Sequence, residues 1–266
     1  MSSVAGVKDI FYYNTLFYVR TKRFQIMLPL AVLISFINTF LVDFHVVTKP
    51  ASAFLFTEAN LGYSEILFIL IASMFAGDLV SRDFSKEGLF ILTQPFNREK
   101  IFAVKFLSSI LAVVLVVLAY LAGSFASTFI LYHSIIPTWW EIVGISIVGI
   151  ISLVSFVSLF SASVKSPTVS ITISIFVLLI GFPLVQSIMG DLNKEPFFLV
   201  TYALQSITDL AQRVYPPHVV RVLSPTGDSV TYNPTVPESI AIFLAYMLLG
   251  IVLCLVIYRK RQLTDV

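Results

Sequence analysis

Five stretches of this chain contain no Asp, Glu, Lys or Arg: Phe24–Val42, Phe106–Trp140, Ile142–Val164, Ser166–Gly190 and Ser239–Tyr258. A sixth, Leu61–Gly77, carries one charge, Glu65. A helix that crosses about 30 Å of hydrocarbon needs about 20 successive apolar residues, and these runs supply them. Only 12 % of the 266 residues are charged, about half the share typical of soluble domains. The fold class is therefore an all-α membrane protein, one domain over residues 1–266, with six spans at about 24–44, 62–81, 100–122, 140–162, 168–189 and 238–258.

The longest charge-free run is too short for two crossings and a turn, which need roughly 40 residues. It reads as one helix from Ile101 to Leu121, continuing as a wetter outer turn toward Tyr132 and His133 until Pro137 breaks the chain. Trp139 and Trp140 fall where an interfacial aromatic belt is expected. The first apolar run is longer than a signal-peptide core and lacks a small-residue exit, so the reading is a retained helix anchored by Arg20, Lys22 and Arg23.

With six spans the termini and two loops share a side, and thirteen of the seventeen basic residues fall there. Short loops rich in Lys and Arg stay inside. That side is expected to be cytoplasmic, giving a multi-pass plasma-membrane protein with both termini inside.

Residues 1–23 place Val7, Ile10, Phe11, Asn14, Phe17 and Tyr18 at helical spacing. The spacing predicts an interfacial amphipathic helix, the alternative being a solvated N-terminus. The segment 190–237 is the larger expected extracellular piece. In it Val200, Ala203, Leu204, Ile207, Leu210, Ala211 and Val214 predict an amphipathic helix over 197–215, stopped by Pro216 and Pro217. Whether it lies on the outer leaflet or dips into the bundle stays open. Val219–Leu223 and Ser229–Tyr232 then predict a β-hairpin around a five-residue turn, Ser224–Asp228.

Catalytic and metal motifs are missing from the sequence. No phosphate-binding P-loop and no His-Glu-x-x-His occurs, and Cys254 is the only cysteine. Ser146 would need a histidine on a facing span to act as a nucleophile, but His45, His133 and His218 lie near or beyond the outer helix ends. Asp43 and His45 are two residues apart, poor ligand geometry on a helix, and read as water-facing. No catalytic residue, metal site or nucleic-acid partner is expected. The span centres lack ionisable groups, which argues against an ion-driven carrier. Asp78 is expected to pair with Arg82 one turn on, at the water boundary. Ala119, Gly123 and Ser127, four apart, read as a small-residue stripe for close helix packing. The serines of the fourth span read first as packing residues and second as a path of hydroxyls.

The remaining feature is the loop 82–99 between spans two and three. Residues 81–105 hold eight of the thirty-two formal charges, yet Phe84, Leu89, Phe90, Ile91 and Leu92 are interleaved among them. An amphipathic piece near Phe84–Thr93 is followed by a stop at Pro95 and a new helix start at Asn97, with Glu99 in its first turn.

The stretch Ser81, Arg82, Asp83, Phe84, Ser85, Lys86, Glu87, Gly88, Leu89, followed by Ile91, Leu92, Thr93, Gln94, Pro95, Arg98, Lys100, Ile101 and Lys105, resembles the permeases of type-2 ATP-binding-cassette exporters. Those chains commonly show a charged pair before Gly-Thr, a Leu-Leu-Ser-x-Pro element and a basic residue three positions on; here Leu89 stands where threonine is usual. The plan of an interfacial helix, six spans, a coupling helix after span two and a long outer connection before span six also resembles that family. The resemblance implies a coupling loop that docks on a separate cytosolic ATPase through Phe84, Lys86, Glu87, Gly88, Leu89 and Phe90, with Pro95 and Arg98 completing the motif. It implies a second permease, identical or not, that shares the translocation path. It places ATP and Mg on the partner, with no cofactor on this chain. A membrane anchor that recruits a cytosolic partner and moves nothing is the alternative.

Overall fold

The computed structural model describes residues 3–84, 98–224 and 227–260. Six of its helices are long and apolar enough to cross a membrane: Lys22–Asp43, Ala53–Asp83, Glu99–Tyr132, Trp139–Ser163, Pro167–Asp191 and Val236–Lys260, numbered here as spans 1 to 6. The protein is a multi-pass membrane protein, mostly helical, with one small hairpin.

Span 2 is the centre of the bundle. It touches spans 1, 3, 4 and 5, and 78 % of its apolar window is buried, against 22 % for spans 1 and 6 and 17 % for span 5. The outer spans therefore turn large apolar side chains outward, such as Leu33 and Phe40 on span 1, Phe176 and Leu184 on span 5, and Leu248 and Leu249 on span 6. Such faces suit lipid or another apolar helix.

Span 2 is also the least regular. It begins at Ala53, capped by Ser52, whose hydroxyl accepts from Leu55 N–H at 3.3 Å, so it starts well before the expected residue 62. The early part falls in the stretch read from the sequence as an outer loop, about His45–Tyr63, and it includes the polar Glu58 and Asn60. Asn60 is in fact fully buried: it accepts from Asn38 of span 1 and donates to Ser127 of span 3, both at 2.8 Å. Glu58 accepts from Gln212 at 2.9 Å. Partners on other elements remove the desolvation cost that made these positions look wet.

The helix pauses at Gly62–Tyr63, resumes over Ser64–Ala76, and ends in a turn before the short 3-10 segment Ser81–Phe84. The main-chain N–H groups of Val80 and Ser81 both donate to Ser161 Oγ of span 4, at 2.9 and 3.1 Å. Unpaired, each would be a buried orphan donor.

Three glycines set the distances between spans. A Cβ at Gly250 of span 6 would stand 2.5 Å from the main-chain oxygen of Ser155 in span 4. At Gly77 it would stand 2.7 Å from Ile171 of span 5, and at Gly123 2.0 Å from Ser35 Oγ of span 1. Span 5 carries a π-turn at Val177–Gly181, just before Pro183. Proline has no N–H for the i−4 bond and its ring crowds the carbonyl four residues back, and one wider turn accommodates both faults.

Span 3 runs as one unbroken helix to Tyr132, past the expected helix end at Leu121. Ser3–Arg20 is helical as expected and lies along span 3, with Thr15 donating to Ser108 at 3.3 Å and Tyr18 buried. Between spans 5 and 6, the helix Val200–Asp209 is buried nearly all round and packs on spans 2, 4 and 6, so it dips into the bundle. It is shorter than the expected 197–215. The hairpin pairs Val219–Ser224 with Gly227–Tyr232 in antiparallel register, Ser224 opposite Gly227. Its connection is therefore two residues long, not the five expected from the sequence.

Because the spans alternate in direction, the N-terminal helix, the segment Ser81–Phe84, the turn between spans 4 and 5, and Lys260 share one face, called here the terminal face. The helix Val200–Asp209 and the hairpin lie at the opposite, far face.

Candidate functional site

The terminal face gathers its charges around the root of the loop. Asp83, the last charged residue of span 2, has a side chain only 2 % exposed. Its carboxylate is ion-paired with Lys105 of span 3, and accepts a hydrogen bond from the buried Tyr258 hydroxyl of span 6 at 3.1 Å. Phe102 stacks on Phe106 beside this pair and packs its other side against Tyr258, with ring centroids 5.6 and 5.8 Å apart. The Asp83 charge is thus withdrawn from water and held by two other spans. Farther out, Arg259 of span 6 pairs with Glu99 of span 3 at 2.8 Å.

A second tie runs to span 1. The Arg23 guanidinium donates to Asp78 Oδ2 at 2.8 Å and to the Met74 carbonyl at 2.7 Å. Asp78 thus takes its ion-pair partner from another span, where the sequence reading chose Arg82. A long-range guanidinium wins because it also satisfies a main-chain oxygen left open by the end of the helix Ser64–Ala76. Arg82 instead lays its guanidinium 4.7 Å from the centroid of the Phe17 ring on the N-terminal helix. Phe17, Tyr18, Arg23, Asp78, Arg82 and Lys105 help to line an open cavity of about 430 Å³ at this point. Burial, and next the negative charges of Asp78 and Asp83, push the Tyr18 phenol well above its usual range, so it stays neutral.

Of the residues singled out in the sequence, Lys86, Glu87, Gly88, Leu89, Phe90 and Pro95 lie outside the described residues. Phe84 closes the 3-10 segment and Arg98 opens the helix of span 3, so the backbone on each side of the loop is helical. In the small-residue stripe, Gly123 meets Ser35, Ala119 is half-buried, and Ser127 is a hydrogen-bonding residue that accepts from Asn60. Among the fourth-span serines, Ser161 holds the span 2 turn, and the Ser158 carbonyl accepts from the Cys254 thiol at 3.4 Å. Sequence reading missed Lys105, Tyr258 and Arg23 as partners, since nothing local marks pairs more than twenty residues apart.

At the far face, Asp43 and His45 do not form a site. His45 has φ 57° and sits one residue past the helix cap, its N–H bonded to Val42 O and that of Val46 to Leu41 O, a Schellman ending of span 1. A different group does converge there. One donor atom each from Glu195, His218 and Glu238 lies within 4.8 Å of the others. Tyr202 donates to Glu195 Oε1 at 2.9 Å. Burial raises the Glu195 carboxyl, but its side-chain contacts with Glu238, Tyr202 and His218 outweigh it and hold the group below the usual glutamate range. On the buried helix, Asp209 has one carboxylate oxygen with no hydrogen-bond partner. Burial first, and Glu58 second, push its pKa up to about 7.

The family model that matches this chain is described as a protein of unknown function (DUF2705) and covers residues 23–264. No curated protein matches it.

Proposed function

We propose that this chain, which belongs to the DUF2705 family, is the permease subunit of an ATP-binding-cassette exporter. In this reading the terminal face is cytoplasmic, the residues 82–99 dock on a separate ATPase, and a second permease completes the path. ATP and Mg are held by that partner, and this chain supplies no catalytic group.

The observation that carries the reading is the root of the loop. Asp83 is bound to spans 3 and 6 through Lys105 and Tyr258, and Asp78 to span 1 through Arg23. A loop that only connects two spans needs none of this. A loop that transmits force does, because a push on a hinged connection would be absorbed before it reached the bundle. The basic residues of the terminal face support the orientation, and the outward apolar faces of spans 1, 5 and 6 offer surface for a second permease.

The test is co-purification of the full chain with a separately encoded ATPase that carries Walker motifs. Leu89→Asp with Phe90→Asp should abolish capture while the permease stays monodisperse, and the wild-type complex should hydrolyse ATP. Capture that survives the double substitution would sink the docking claim. Capture without any dependence of ATP hydrolysis on the permease would favour the anchor instead.

A further inference from the structure

We propose that Glu195, His218 and Glu238 form a binding site for one divalent transition-metal ion of the zinc type. The site belongs to the far face and is independent of whether the terminal face binds an ATPase.

The geometry starts with the histidine. His218 Nδ1 is 2.8 Å from the main-chain oxygen of Asn233. A carbonyl only accepts, so Nδ1 carries a proton, and in the neutral ring Nε2 presents a lone pair. Nε2 faces Glu195 Oε2 at 3.4 Å, an acceptor facing an acceptor. Something positive belongs between them. The second carboxylate, Glu238, stands 4.0 Å from Nδ1, on the bonded edge of the ring, and accepts the Thr235 N–H at 3.2 Å, so it reaches an ion at Nε2 only by turning its side chain. A proton on the imidazole would offset one of these two negative charges; a divalent ion offsets both.

The surroundings are built to hold the ring in that orientation. Asn233 is buried; its side chain donates to Pro217 O at 2.9 Å and accepts from Gln205 at 3.2 Å, and its N–H donates to His218 O at 2.9 Å. Metal-ligating histidines are held in this way, with the distal N–H on a carbonyl that fixes the tautomer. Tyr202 engages the other oxygen of Glu195 and leaves Oε2 toward the ring. His218, Glu195 and Glu238 keep 39 %, 27 % and 24 % side-chain exposure, so an ion can enter from solvent.

The donor set selects the metal. Zinc takes imidazole nitrogen and carboxylate oxygen at about 2.0–2.2 Å, with water completing an open position. Calcium wants about 6–8 oxygens and magnesium a near-octahedral oxygen shell, and three side chains including an imidazole supply neither. Ligand atoms within 4.8 Å of one another close onto such an ion by small side-chain rotations. The three ligands come from the connection after span 5, the residue before the hairpin, and the first turn of span 6. A bound ion staples the hairpin base to span 6.

The test uses the full chain in lipid nanodiscs, stripped with chelator and titrated with zinc chloride by calorimetry, with melting followed in parallel. Wild type should take up about one ion per chain and melt at a higher temperature with zinc. H218A and, separately, E195Q should weaken binding at least about tenfold, comparable to the loss of a supporting ligand contact. H45A and H133A should bind as wild type does, since those histidines cap helix ends. E238Q, a near-isosteric change, serves if H218A does not fold. The absence of saturable zinc uptake overturns the proposal, as does uptake unchanged in every folded variant of the three ligands or lost in H45A or H133A.

Discussion

Replacing Lys105 by methionine keeps the length of the side chain and removes its charge. Among the described residues Asp83 then keeps only the Tyr258 hydrogen bond, in a position where its own side chain is only 2 % exposed and that of Lys105 was 11 % exposed. Breaking a buried ion pair from one side costs about 3–5 kcal/mol, because the remaining charge stays desolvated. Removing both charges is a different perturbation. Asp83→Asn with Lys105→Met leaves a neutral amide that still accepts from Tyr258, and replacing both members of such a pair is typically close to neutral. The expected order is therefore inverted relative to the number of substitutions: the single variant is the unstable one. For a chain of this size about 1 kcal/mol shifts melting by roughly 2–4 °C, so Lys105→Met should melt about 10 °C low and the double variant within about 3 °C of wild type. The assay is thermal unfolding of the purified chain in nanodiscs, followed by intrinsic fluorescence, with Asp83→Asn completing the cycle. Equal losses in the single and double variants would refute the reasoning, since the cost would then lie in packing and not in the stranded carboxylate. A silent Lys105→Met would show that Asp83 is solvated, and the rigid root would fall with it.

Three further substitutions probe other parts of the bundle. Gly250→Leu must push span 6 off the Ser155 main chain, where a Cβ already falls at 2.5 Å; it should cost about 1–3 kcal/mol or more, while Gly144→Leu, whose Cβ meets nothing within 4 Å, should leave melting nearly unchanged. Asp209 has a folded pKa raised to about 7, above the unfolded value of about 3.9, so the native state binds the extra proton; its contribution is fully present below about pH 4 and is lost as pH rises through about 7. Wild type should thus lose on the order of 2 kcal/mol between pH 5 and pH 8, and Asp209→Asn should remove that slope in melting curves taken across the range.

The parts of this fold that were legible in the sequence are those fixed by solvent. Hydrocarbon demands runs with little or no charge, and all six spans announce themselves that way, five charge-free and one carrying only Glu65. The N-terminal helix follows from apolar spacing, and the hairpin from β-branched runs between breakers. What the sequence hid depends on pairs of residues far apart in the chain. Asn60 looked like a loop residue because its partners, Asn38 and Ser127, lie on other spans. Asp78 looked ready for Arg82 because local spacing cannot show Arg23 arriving from span 1. His218 read only as one of three histidines near or beyond the outer helix ends; the fold brings Glu195 and Glu238 to it. A polar residue in a membrane chain gives no indication of whether it faces water or a partner.

Span 6 ties these observations into one mechanical argument. At the terminal face its Tyr258 and Arg259 are bonded to Asp83 and Glu99, on either side of the loop. At the far face its first turn carries Glu238, beside His218 and the hairpin. Between them it is one helix, Val236–Lys260, about 37 Å long at 1.5 Å per residue, with no interior break among the described residues. Gly250 seats it directly on the span 4 main chain, where a Cβ would fall 2.5 Å from the Ser155 oxygen. Span 2, by contrast, is interrupted near both ends, and its terminal-face turn is held by Ser161 of that same span 4. In the proposed coupling, a displacement of the loop root is passed to span 6 through Tyr258 and to span 4 through Ser161, alongside the ties to span 3 through Lys105 and to span 1 through Arg23. The unbroken span 6 is, in that coupling, the element that joins the loop root, through Tyr258, to the base of the hairpin, beside Glu238.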